Sequence, residues 1–219
     1  MTDLRKTLPP LPPRMYALPR DHRGFPVPWF VQFMPDGKPD FRILNTQHLY
    51  RAVNEKRCWI CGDYLGVHLA FVLGPMCAIN QINAEPPSHL DCALFAVKAC
   101  PFLIEPRMRR NTKNMPEHLP APGIHLDRNP GATCVWVTRS YKPFKADDGI
   151  LFSIGKPEQI YWFAEGRPAL RCEVETSIEG GLPSLKKLAE QEGPKAMREL
   201  DERLKRLHRL LPMEKVNHT

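Results

Sequence analysis

Apolar positions along this chain fall into short runs with two different periods. Residues 67–73 alternate, with Val67, Leu69, Phe71 and Leu73 on one side and His68, Ala70 and Val72 on the other, which is the period of two that a strand requires. Gly74-Pro75 breaks the run, and 76–80 is expected to return as the second strand of a hairpin. The aromatic stretch 27–33 predicts another strand, held at an edge by Pro26 and Pro28 because proline cannot donate to a ladder. Pro35-Asp36-Gly37-Lys38 turns the chain and 40–44 comes back as its partner. Further short strands are expected at 133–138, 150–154 and 159–163, separated by turns at Asp147-Asp148-Gly149 and Gly155-Lys156-Pro157.

Helical spacing appears elsewhere. Thr46 can cap a helix over 47–56 with Leu49, Tyr50 and Val53 on one face. Ser88 can cap a second helix running to Ala99, with Asp91 completing a capping-box variant and Pro101 ending it. From Pro168 onward the pattern is helical, with one helix stopped by Gly180-Gly181, a second from Pro183-Ser184 to Gly193, and a third over 195–211. In the last, Met197, Leu200, Leu204, Leu207 and Leu211 step by three and four, a seam of two heptads that suits packing on the chain's own core or a homodimer. The expected fold class is α+β, with short antiparallel strands and a helical C-terminal part over 168–211.

Composition sharpens this picture in three places. The 24 prolines mark stiff connections, and Pro9-Pro10-Leu11-Pro12-Pro13 makes residues 1–23 an extended arm, read as a strap over the surface or a flexible tail, or else a ligand for a proline-binding groove. Residues 24–219 are read as one domain, since no flexible polar linker divides them. The net charge of +7 favours an acidic partner, nucleic acid first. No apolar run is long enough for a membrane span, and Met1-Thr2-Asp3-Leu4-Arg5-Lys6 does not read as a secretory signal. Seven cysteines, an odd number, fit a reduced cytoplasmic setting better than a disulfide framework.

The candidate chemistry is concentrated in two pairs. Cys58-Trp59-Ile60-Cys61-Gly62 places two thiols three apart, and after 27 residues His89-Leu90-Asp91-Cys92 places an imidazole and a thiol at helical i, i+3 spacing. Three cysteines and one histidine fill a tetrahedral structural Zn²⁺ site and leave no open position. Cys77 and Cys100 are alternatives to His89, whereas Cys134 and Cys172 read as core residues. Over 57–100 the order of knuckle, hairpin and capped helix resembles the treble-clef zinc finger. That resemblance implies Cys58 and Cys61 as knuckle ligands, and His89 and Cys92 as ligands from the first helical turn. The pieces 58–66, 74–80, 84–93 and 100–103 also resemble an uncharacterised family of bacterial and phage proteins, which implies a mobile-element setting and no particular activity.

Two classes of function follow. The first is a zinc-binding, non-catalytic binding or adaptor protein for nucleic acid or a protein partner. Its contacts would come from the basic loop carrying Arg107, Arg109, Arg110 and Lys113, with Arg139 and Lys142 beside Tyr141. The second is an enzyme. Resemblance to HNH nucleases would make His68 the general base and Asn80 or Asn83 its orienter, although Val67 stands where that family carries an acidic residue. A small-molecule pocket would instead use Asp147-Asp148-Gly149, Trp162 and Glu165-Gly166-Arg167. No phosphate loop, serine elbow or dinucleotide fingerprint is present.

Overall fold

The alternating segments pair into small antiparallel sheets, and the partners are often far apart in sequence. The computed structural model describes residues 3–109, 111, 113, 129–146 and 149–213. Strands β1 (Val31–Phe33) and β2 (Pro39–Leu44) form a ribbon. Helix α1 (Thr46–Asn54) follows, capped not by Thr46 but by Asn45, whose side chain accepts the His48 amide. Then come β3 (Leu69–Leu73), α2 (Pro75–Asn80), β4 (Ile82–Asn83), α3 (Leu90–Ala99) and the single turn α4 (Pro101–Ile104). The C-terminal half holds β5 (Thr133–Thr138), β6 (Tyr141–Ala146), β7 (Gly149–Ile154), β8 (Gln159–Ala164), β9 (Arg167–Pro168), α5 (Arg171–Glu192) and α6 (Pro194–His208).

The central sheet runs β3-β5-β8-β9, and a second runs β4-β7-β6. Strand β5 is buried at every position, as expected of a strand covered on both faces. Its alternation feeds two cores. Leu69, Phe71, Leu73, Cys134, Trp136 and Trp162 face α2, α5 and α6. Ala70, Val72, Val135, Val137 and Phe163 face α3. The register aligns Phe71, Trp136 and Ile160 across three strands. This arrangement fixes α3, and therefore the second half of the metal pattern, against a rigid surface.

The expected hairpin after the knuckle is not formed. Strand β3 pairs with β5 instead, and 75–80 is helix α2. The reason is legible afterwards: Gly74 is extended, Pro75 occupies the first helical position where its missing N–H costs nothing, and Pro75, Ala78 and Ile79 are buried at i, i+3, i+4. Likewise Gly180-Gly181 does not stop the helix, which continues through Pro183 as α5. A Cβ on Gly181 would meet the Met76 side chain at 2.9 Å, so the glycine permits close approach of α5 to α2. Within the C-terminal seam Leu200, Leu207 and Leu211 are buried in the chain's own core. Ala146 pairs with Gly149 across the β6–β7 hairpin, while Asp147 and Asp148 lie outside the described residues. Among those described, no helix is long and apolar enough to cross a membrane.

Candidate metal centre

A tight reversal brings the first ligand pair together. The Cys58 amide donates to the Asp63 carbonyl at 2.7 Å and the Gly62 amide to the Cys58 carbonyl at 2.9 Å. Gly62 has φ +82°, a left-handed conformation that costs glycine little. Outside the reversal, Arg57 and Tyr64 face one another as an antiparallel bridge. The second pair comes from the start of α3. Ser88 does not cap this helix, because its amide and carbonyl both bond Ala70 of β3. His89 is the N-cap in extended conformation, and Cys92 sits one turn on.

Cys58, Cys61, His89 and Cys92 are all buried, and one donor atom from each lies within 4.8 Å of every other. Cys58 Sγ accepts the amides of Cys61 at 3.5 Å and His89 at 3.4 Å, the kind of N–H···S support that steadies a thiolate ligand. His89 Nδ1 is 3.4 Å from Cys61 Sγ, and its Nε2 meets the Tyr64 carbonyl at 3.0 Å. Donation from Nε2 leaves Nδ1 as the nitrogen free to bind a metal.

Crowding pulls the proton equilibria of the donors apart. Burial opposes ionisation of Cys58, but hydrogen bonds from Cys61, Cys92 and His89 outweigh it and hold its thiol far below the usual range. Hydrogen bonding to Cys58 and Cys61, with burial, pushes Cys92 far up. Burial opposes a charge on His89, yet hydrogen bonds to Cys58 and Cys61 raise it to about 10. Three thiolates beside a neutral imidazole would carry three negative charges in a buried space, and a divalent cation is what such a set can accommodate. The donors therefore fit a metal.

Cys77 and Cys100 are not in the group. Burial, with Glu85 nearby, pushes the Cys77 thiol up to about 11, and burial also raises Cys100 at the end of α3.

The N-terminal segment completes the surroundings of the centre. Leu11 and Met15 pack into one cluster with Cys58, Ile60, Cys61, Cys92 and Phe95, and Met15 is only 1% exposed. Arg14 Nε donates to Asp91 at 2.9 Å. Its charge is favoured first by that hydrogen bond and further by the neighbouring Cys92 and Cys61. Sequence reasoning gave this segment no link to the metal pattern, and only its Leu-Pro and Met positions carried a hint. Replacing Met15 with Asp should undock the segment, since a buried unpaired carboxylate is costly. Transfer of bound metal to a colorimetric chelator is then expected to speed up several-fold with stoichiometry unchanged. An unaltered transfer rate would mean that the segment does not shield the centre.

Comparison with protein-family models, curated proteins and solved structures finds no match.

The other sequence candidates are dispersed. His68 Nδ1 meets Glu158 at 2.9 Å, and Glu158 also takes Arg139. Asn80 accepts from Arg203, and Asn83 donates to the Glu85 carbonyl. Arg107, Arg109 and Lys113 are exposed, while Arg110 lies outside the described residues. Arg42 of β2 ties this segment down by donating to the carbonyls of Asn111 and Lys113 at 3.0 and 2.9 Å. Tyr141 turns inward onto Phe71 and Phe152, away from any stacking role beside Lys142. Glu165 and Gly166, both at positive φ, link β8 to β9. Arg167 pairs with Glu173, and Trp162 is buried with its Nε1 on the Leu210 carbonyl. Two hollows of about 300 and 220 Å³ run along β8 and 209–212, and no metal-cluster residue lines either.

Proposed function

We propose that this chain is a zinc-stapled, non-catalytic binding protein whose partner is nucleic acid. The observation that carries the reading is the closed, buried Cys58–Cys61–His89–Cys92 set. Four protein donors leave no position for a substrate or an activated water, so the metal's role is to hold the fold. Three thiolates and one imidazole suit Zn²⁺. A knuckle plus the first turn of a helix is the treble-clef way of building such a site, here with a helix where the resemblance calls for a hairpin strand.

Function then resides on the surface. Support for nucleic acid comes from the net charge of +7 and from the exposed Arg107, Arg109 and Lys113 on a segment anchored by Arg42. The nuclease alternative needs His68 to act as a base. Its side chain instead pairs with Glu158 at the surface, while Asn80 accepts from Arg203 and Asn83 donates to the Glu85 carbonyl.

Two measurements test the reading together. Elemental analysis should give one zinc per chain. Binding of a labelled oligonucleotide should weaken steeply with salt, and changing both Arg107 and Arg109 to Ala should lower the log–log salt slope by about 1.5–2. Salt-indifferent or absent binding would point to a protein partner. Metal-dependent cleavage lost on His68→Ala would replace the reading with the nuclease.

A further inference from the structure

The outer edge of the knuckle carries a continuous run of rings and guanidinium groups. The Arg57 guanidinium lies 4.3 Å from the centre of the Tyr64 ring. It donates to the Gly62 carbonyl at 3.0 Å, and through Nη2 to Tyr64 Oη at 3.1 Å. Arg57 and Arg51 both bind Glu55, whose carboxyl is held down at about 2 first by Arg51 and then by Arg57. Arg51 in turn lies 5.6 Å from the centre of the Trp29 ring, and Trp29 stacks on His48 at 4.2 Å. Trp29 is further crowded by the knuckle, because a Cβ on Gly62 would stand 2.8 Å from the ring.

Tyr64 is different. It is 68% exposed with Arg57 against it. Tyr50, on the same helix as Arg51, is 60% exposed. The arginines with Lys56 outnumber Glu55 and Asp63 along this edge, so the rings sit in a mildly positive field. Exposed aromatic rings backed by guanidinium groups are what unpaired bases stack on, while arginine serves the adjoining phosphates.

Rigidity comes from the metal centre. The Tyr64 carbonyl receives the His89 Nε2 hydrogen bond, and the backbone of Tyr64 is bridged to Arg57 beside the first ligand. The ring is therefore presented from a backbone that metal binding fixes, which lowers the ordering cost of binding.

We propose that this edge is a single-strand stacking site, with Tyr64, backed by Arg57, taking a base on its exposed ring and Arg51 facing the phosphates. The proposal rests on the nucleic-acid reading above and adds to it a strand preference and a place.

The test uses the full chain loaded with zinc and a labelled oligo-dT, with the matching duplex as the second probe. Tyr64→Ala should weaken single-strand binding about fivefold or more, whereas Tyr64→Trp should retain it. Zinc content and melting temperature should not change, since the backbone carbonyl and not the ring meets His89. Duplex binding should be the weaker and indifferent to Tyr64. If wild type binds the oligonucleotide but Tyr64→Ala binds as well, the stacking site is refuted and the nucleic-acid reading stands. If wild type binds neither probe, both are refuted.

Discussion

Cys92→Ser is expected to abolish metal binding and unfold the middle of the chain. The serine hydroxyl cannot supply a thiolate, and the remaining three donors no longer close a tetrahedron. Structural zinc is worth roughly 10–16 kcal/mol in small zinc domains, comparable with or larger than the 5–15 kcal/mol total stability typical of a whole domain. Losing even part of that exceeds what the local packing can offset. Cys92 is fully buried in the cluster that also holds Leu11, Met15 and Phe95, so the N-terminal segment loses its floor. The damage also reaches the central sheet, because Ser88, beside His89, is bonded to Ala70 of β3. Bound metal by elemental analysis should fall from about one ion per chain to near zero, with a melting temperature lower by well over 10 °C. Cys172→Ser should change neither, because Cys172, expected in the core, is exposed on α5. A Cys92→Ser protein that melts like wild type would mean that the centre contributes little to the fold.

What the sequence discloses here depends on how local the cause is. The donor cluster was legible because Cys-x-x-Cys and His-x-x-Cys are set by a tight turn and by one turn of helix, both local geometries. Strands at 133–138 and 159–163 were legible because their β-branched and aromatic runs suit a sheet wherever they pair. The hairpin after the knuckle was misread because alternation says that 69–73 is a strand without naming its partner. That partner lies some sixty residues away in β5. Gly74-Pro75 is equally a turn and a helix start, and only the burial of Pro75, Ala78 and Ile79 decides between them. Gly180-Gly181 was misread for the opposite reason. Its local stopping tendency is real, about 1 kcal/mol per glycine, but it is overridden by packing of α5 on α2 and α6. The support from Tyr64 and Arg14 was beyond reach, since a backbone carbonyl carries no sequence signature and a proline-rich segment does not state what it will cover.

The second large effect concerns the core and separates two tryptophans that look alike in sequence. Trp136 lies in the middle of β5, 1% exposed, aligned with Phe71 and Ile160, and its Nε1 donates to the Gly155 carbonyl at 3.0 Å. Trp136→Ala is expected to cost about 3–5 kcal/mol, as a buried aromatic truncated to alanine leaves a cavity that a sheet paired on both sides cannot collapse into. Urea unfolding should show the midpoint falling by that amount divided by the slope. The folded fraction should still bind metal in the cold, since the candidate cysteine ligands sit in a different cluster from Trp136. Trp59 behaves otherwise. It is buried and stacked on Phe30 at 5.0 Å, but its Nε1 has no hydrogen-bond partner among the described residues, so Trp59→Phe keeps a ring on Phe30 while deleting a donor that those residues leave unsatisfied. Its cost should stay within about 1 kcal/mol. A Trp136→Ala midpoint close to wild type would refute the central role given to β5. A costly Trp59→Phe would show instead that the indole nitrogen has a partner, such as an ordered water, that stabilises the knuckle.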